Sequence, residues 1–189
     1  MKNLSYLTAT YLRTFLVASV LTFLAIAANA QNKPWKLADY KIGFMIKNAN
    51  IAVNGTFSGL AATFVFDSNK PENSNIEATI DAKSINTGVA MRDDHLRKDE
   101  YFGVAKYPKI TLKSGTITRK PDGSFVGNFK LTLKNVTKDI AIPFTFVEKG
   151  NTATAKGSFI VNRVQYGVGT SGFVMGDVVT ISLSANLSK

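Results

Sequence analysis

The residues best equipped for chemistry crowd into Met91–Pro108, the longest stretch of the chain without strand alternation. Its first half is charged, with Arg92, Asp93, Asp94, His95, Arg97 and Asp99, and its second half is aromatic, with Tyr101, Phe102 and Tyr107. His95 is the single histidine of the chain. As a general base it would need Asp93 or Asp94 to orient it and a nucleophile from elsewhere. A serine would have to supply that nucleophile, and no G-x-S-x-G elbow presents one. A metal site is poorly furnished, because the lone histidine has no second histidine or thiolate and Asp93-Asp94 lacks calcium-loop spacing. No residue is therefore assigned as catalytic or metal-binding, and a lipid-acting enzyme with His95 as acid–base is kept only as an alternative. Two other roles fit the cluster. Arg92 and Asp93 form a structural ion pair that fixes the insertion, with His95 hydrogen-bonded beside it. Or Arg92, Arg97 or Arg163 meets an anionic head group, since a guanidinium fork suits phosphate. Phe102 and Tyr166 would line the same end or pack beneath it.

The elements around this stretch read as β-strands by period-two alternation. Ile42, Phe44 and Ile46 share one face. Ile51, Val53, Gly55 and Phe57 restart the pattern after an Asn48-Ala49-Asn50 turn, and Leu60, Ala62, Phe64 and Phe66 carry it on. Gly55 and Gly59 suit one long, sharply bent strand. Ile76, Ala78 and Ile80 mark the next. Beyond the insertion come Ile110 and Leu112, then Phe129, Leu131 and Leu133, then Ile140, Ile142, Phe144 and Phe146. Ala155, Gly157, Phe159 and Val161 follow, and Val179 to Leu187 form the last strand. Pro143 cannot donate a ladder hydrogen bond, so an edge-like site or bulge is expected there. The total is about eight strands joined mostly by short turns, hence largely antiparallel. So many half-buried strands in one small domain need a sandwich or closed barrel, and an up-and-down barrel fits best.

Composition narrows the function classes. There is no cysteine among the 189 residues, which removes disulfides, thiol catalysis and thiolate metal sites. Lys2 and Arg13, the uncharged run Phe15–Ala27 and the small-x-small site Ala28-Asn29-Ala30 make a secretory signal peptide over residues 1–30, leaving a domain over 31–189. That run is short for a membrane span of ~20 residues, so the protein is expected to be exported, periplasmic or secreted, and soluble after cleavage. Setting aside Lys2 and Arg13 leaves 21 basic against 13 acidic residues, a formal +8. The lysines are scattered singly along strands, which argues against nucleic acid. Together with an export signal they suit transient contact with a membrane surface. A homodimer is left open by the expected edge at Pro143.

The inward face of these strands carries no charge. Large side chains alternate with Gly55, Ala62, Ala78, Ala155, Gly157 and Ala185. The small residues either complement the large ones in a filled core, which would make the barrel a structural or interaction surface, or leave a channel. The pattern alone favours neither.

At Arg92-Asp93-Asp94-His95-Leu96-Arg97, Asp99-Glu100-Tyr101-Phe102 and Lys106-Tyr107-Pro108 the chain resembles the YceI-like family of exported polyisoprenoid-binding proteins. Asp81–Gly88, Gly127–Lys138 and Asn162–Gly169 are similar to that family's other ordered motifs, so the resemblance runs from about Trp35 to Leu187. Lys41 and Asn48 stand where the family often has serine and histidine, and Asn162 where it has aspartate. The resemblance implies an all-β, lipocalin-like, single antiparallel barrel of eight strands with a short, partly helical insertion. It implies an apolar tunnel that holds an isoprenoid quinone or polyprenyl phosphate as ligand, with no other cofactor. The tunnel candidates are Phe44, Phe57, Phe64, Phe66, Ile80, Leu112, Phe129, Leu131, Phe144, Phe146, Phe159 and Leu183. Arg92, His95, Arg97, Phe102, Arg163 and Tyr166 are the candidates for the mouth.

Overall fold

The period-two runs fold as strands in the computed structural model, which describes residues 33–189. The expected signal peptide lies outside the described residues. Nine strands are present: β1 (Lys36–Asn48), β2 (Ile51–Phe57), β3 (Ala61–Val65), β4 (Asn75–Asp81), β5 (Lys109–Arg119), β6 (Phe125–Leu133), β7 (Val136–Lys149), β8 (Thr152–Asn162) and β9 (Met175–Ser188). They form one antiparallel sheet in the order β2-β1-β9-β8-β7-β6-β5-β4-β3. The clearest alternation is in β6, where Phe125, Gly127, Phe129, Leu131 and Leu133 are all buried and no residue between them is.

The count exceeds the expected eight because the bent strand Ile51–Phe66 is two. Gly59 sits at φ +71° between its halves, a conformation that L side chains disfavour, and a Cβ there would lie 3.1 Å from that of Asp81. The break shifts the alternation by one residue and sends the halves to opposite edges. β2 pairs with β1, while β3 pairs with β4. The broken strand is thus the seam on which the sheet curls shut. Trp35 N donates to Phe64 O at 2.8 Å, and Thr56 and Asn86 exchange backbone hydrogen bonds of 2.8 and 3.0 Å. Between these two points the Tyr40 hydroxyl accepts from Leu60 N at 3.2 Å. The edges that would template aggregation are closed by these few contacts rather than by a full ladder.

The strand directions put the two ends of the barrel to different uses. One end gathers Trp35, Phe66, Phe125, Phe144 and Phe146 into a packed aromatic cluster. Phe66 and Phe146 have centroids 4.5 Å apart, Phe66 and Phe125 5.0 Å, and Trp35 and Phe146 5.5 Å. Trp35 Nε1 donates to Phe66 O at 3.0 Å, so its one polar atom is satisfied inside the cluster. The other end carries the β1–β2 turn, the insertion with helix α1 (Ala90–Arg97), the β6–β7 turn and the segment 163–174. A second cluster, including Ile110, Leu131, Leu133, Val161, Tyr166 and Val168, packs there beneath Tyr101 and Phe102.

Pro143 lies at an edge of the expected kind. β7 pairs with β6 throughout its first half but meets β8 only from Phe144 onward, opposite Gly157. The far half of β8 continues with β9 alone. No ladder hydrogen bond to β8 is required of Pro143, and the two strands splay beyond it.

Candidate functional site

Between the two clusters the barrel is not filled. A cavity of about 300 Å³ runs along the interior, walled by strand residues from both sides. That is roughly twice the ~150 Å³ apolar cavity that accepts a benzene ring, and within the range of small-molecule pockets. Its walls alternate large and small side chains. Phe44, Phe129, Phe144 and Phe159 face it beside Ala62, Ala78, Ala155, Gly157 and Ala185. Ala155 and Ala185 are direct cross-strand partners, so two small residues meet at one level. Gly55 has a different purpose: it lies opposite Phe44, and a Cβ there would overlap the Phe44 ring. Lys41, Lys156 and Ser184 border the cavity in one row across β1, β8 and β9, with both lysines exposed so that their charges stay in water.

Of the twelve tunnel candidates, Phe44, Phe57, Phe64, Ile80, Leu112, Phe129, Leu131, Phe144, Phe159 and Leu183 line the cavity. Phe66 and Phe146 do not. Their rings stack into the aromatic cluster that closes the end, 3% and 8% exposed. Alternation assigns a residue to the inner face but says nothing of its depth along the barrel axis. Leu37, Ile42, Ile46, Val179 and Ile181 also line the cavity, on the same alternating faces of β1 and β9.

The lining reaches the helical end at Asn48 and Val53 of the β1–β2 hairpin, Thr87, Arg92 and Leu96 of the insertion, and Met175 at the start of β9. Here the six mouth candidates part company. Arg92, Phe102 and Arg163 border the cavity, and His95, Arg97 and Tyr166 do not. His95 Nε2 pairs with Glu100 at 2.8 Å, half exposed, with its ring 5.1 Å from that of Tyr101. It is not among the residues that line the cavity. Arg97 is spent on Asp94 at 2.8 Å and on the carbonyls of Lys83 and Ile85. Tyr166 is 2% exposed within the second cluster, its hydroxyl buried without a partner, and that burial raises its pKa.

Arg92 and Asp93 do not form the expected ion pair. Both turn to Thr87 instead. The Asp93 carboxylate accepts from Thr87 N at 2.9 Å and from its hydroxyl, while Arg92 donates to Thr87 Oγ1 at 2.7 Å and Thr87 O at 2.9 Å. Successive helical residues point in different directions, and a polar loop residue in between serves both. Arg163 is also structural. It is 5% exposed and donates to the carbonyls of Val168, Thr170, Met175 and Gly176 and to Asp177, knitting the 163–177 segment together. Gly169, at φ +65°, lets this packing happen, since a Cβ would fall 2.8 Å from Arg163 Nη1 and 2.9 Å from the Tyr101 ring. Lys134, unremarked in the sequence, ties the β6–β7 turn to Asp99 O and Gly167 O at 3.0 and 2.8 Å.

Besides the Tyr166 hydroxyl, which does not line the cavity, two polar groups that border the cavity at this end keep unused hydrogen-bonding capacity among the described residues. Asn48 Oδ1 is buried with no partner, and Arg92 makes no hydrogen bond through Nη1. Apart from Thr87, Thr111, Arg163 and the Lys41, Lys156 and Ser184 row, the rest of the lining is apolar. The arrangement can hold a hydrophobic chain with a polar end group near Asn48 and Arg92.

A family model described as the YceI-like domain matches residues 35–187. Protein YceI of Salmonella newport (strain SL254) is 32% identical over 140 residues, covering 72% of each chain. Among solved structures, Burkholderia cenocepacia BcnA matches with a TM-score of 0.76 and 26% identity, over 80% of this chain and 98% of that one. A polyisoprenoid binding domain from Saccharophagus degradans, implicated in plant cell wall breakdown, has a TM-score of 0.64 at 13% identity, over 82% and 97% of the two chains, and shares the fold. The barrel, its motif-bearing insertion and these likenesses agree that the chain belongs to the YceI-like family.

Proposed function

We propose that this protein is an exported carrier that sequesters an isoprenoid lipid, a quinone or a polyprenyl phosphate, with the chain in the barrel and the head group at the helical end. The observation that carries the reading is the apolar cavity left open between two well-packed clusters. Such binding needs a dry channel and no catalytic group. Each methylene moved from water into it gains ~0.8 kcal/mol, offset in part by ordering a flexible tail. Asn48 Oδ1 and the free edge of Arg92 supply an acceptor and a donor for the polar end. The name of the Saccharophagus degradans neighbour supports an isoprenoid ligand, and the amino-terminal residues 1–30 support export.

The test is mass spectrometry of an organic extract from protein purified under native conditions. A long-chain quinone or polyprenyl phosphate in stoichiometric amount is the expected result. A clean extract, together with no uptake of either lipid when added, sinks the reading.

A further inference from the structure

The large apolar side chains that this protein leaves in water are not scattered. Eight are exposed among the described residues, and Val147 is the only one near the aromatic end. Ile51 follows the β1–β2 turn, Val89 and Met91 flank the start of α1, and Phe173 and Val174 sit on the segment before β9. Ile160 and Val178 continue the group onto the outer face of β8 and β9, two pairs apart in register. These segments are neighbours: Ala49 N donates to Val174 O at 2.7 Å, and the Thr56–Asn86 bridge lays the approach to α1 along β2. They are also the segments through which the cavity lining reaches the surface, at Asn48, Val53, Thr87, Arg92 and Met175.

The charges at this end are just as uneven. Five carboxylates there are engaged by side chains, Asp93 by Thr87, Asp94 by Arg97, Asp99 by Lys106, Glu100 by His95 and Asp177 by Arg163, and Asp81 accepts from Lys83 N. Lys47, Lys83 and Lys98 are exposed and make no ion pair among the described residues. An apolar rim set among unpaired ammonium groups matches a bilayer whose surface is anionic and whose interior is hydrocarbon.

We infer that this rim docks on an anionic phospholipid surface, seating the cavity opening against the bilayer so that cargo passes without crossing water. The inference rests on the lipid-carrier reading and adds the surface from which the lipid comes. Phe173 and Val174 are the leading contacts, and Lys47, Lys83 and Lys98 supply the attraction to head groups. Each large side chain withdrawn from the interface weakens partitioning by on the order of tenfold.

The experiment is flotation of the exported protein, purified from cells expressing the full chain, with vesicles of phosphatidylcholine alone or mixed with phosphatidylglycerol. The wild type is expected to float with the mixed vesicles and to be released by high salt. Phe173→Asp with Val174→Asp is expected to lower that binding by roughly a hundredfold, while Val147→Asp leaves it unchanged. Both variants alter exposed positions, and circular dichroism confirms that they fold. Uptake of a quinone delivered from detergent, without vesicles, is measured in parallel and is expected to be equal in all three proteins. Absence of vesicle binding by the wild type, or equal loss in the Val147 variant, overturns the docking. Binding to vesicles without quinone uptake supports the docking and overturns the carrier reading instead. A dimer in light scattering that the Phe173 variant splits, with no vesicle binding, makes a second copy of the chain the occupant and also overturns it.

Discussion

At the scale of single residues, the two most buried polar groups beneath the helical end make opposite demands. The Tyr166 hydroxyl has lost water and gained no partner, a cost of roughly 1–3 kcal/mol for a buried hydroxyl. Tyr166→Phe is therefore expected to raise stability by about 1 kcal/mol at neutral pH, read by urea unfolding. Burial raises the Tyr166 pKa above its ordinary 10.0, so the folded state holds the phenolic proton more tightly than the unfolded state does. Stability is then full below pH 10 and is lost as pH climbs through 10 towards the raised value. The phenylalanine variant should lack that alkaline loss, and equal pH profiles for the two proteins would refute the assignment. Arg163 is the contrary case, a buried cation whose donors reach four carbonyls and one carboxylate. Lysine brings three donors on one atom and cannot reproduce the fork. Arg163→Lys is expected to cost roughly 2–4 kcal/mol, and a loss under half a kcal/mol would mean that the 163–177 segment is held by something else.

At the scale of elements, α1 shows how a helix too short to persist alone is kept. Eight residues fall below the length at which isolated helices are stable, and Val89 at its N-cap offers no side-chain acceptor. Asp93 and Arg92 anchor it through Thr87 instead. Asp93→Ala leaves the Thr87 N–H unpaired and is expected to cost roughly 1–3 kcal/mol, with faster hydrogen exchange at the amides of residues 90–97. Asp93→Asn, which keeps an acceptor oxygen, should lose less. This hub was invisible in the sequence because it depends on where the 86–89 turn places one threonine. The strands, by contrast, were largely legible, because period-two alternation is a local property; the exceptions are Ile51, read with the inner face but 70% exposed, and the one expected strand that is two. What alternation could not supply was position along the axis. For that reason Phe66 and Phe146 read the same as Phe64 and Phe144, although the first two close the barrel and the others face its cavity. Gly59 was read correctly as a bend, yet only the pairing of β2 with β1 and of β3 with β4 turns that bend into the seam of the barrel.

At the scale of the whole molecule, the question is why a domain without disulfides leaves its middle open. Left unfilled and closed to water, an apolar space of about 300 Å³ would cost on the order of 7 kcal/mol at the usual penalty per unit of cavity volume. That is comparable to the entire net stability of an ordinary domain. The two packed clusters must carry the fold, and a ligand that fills the space between them returns much of the loss by mass action. Stability and binding are therefore opposed at the same residues, and filling the cavity should separate them. Ala155 and Ala185 face each other across β8 and β9 and line the cavity where it meets the aromatic cluster, against which both pack. Replacing both with leucine adds apolar volume where there is room, worth roughly 2 kcal/mol per site if fully buried. The double variant is expected to melt several degrees above the lipid-stripped wild type, read by calorimetry, and to bind added quinone or polyprenyl phosphate at least tenfold more weakly. The reverse result is equally informative. A variant that melts lower and still binds as before would show that this level of the barrel is already filled, and that whatever the protein holds, it holds elsewhere.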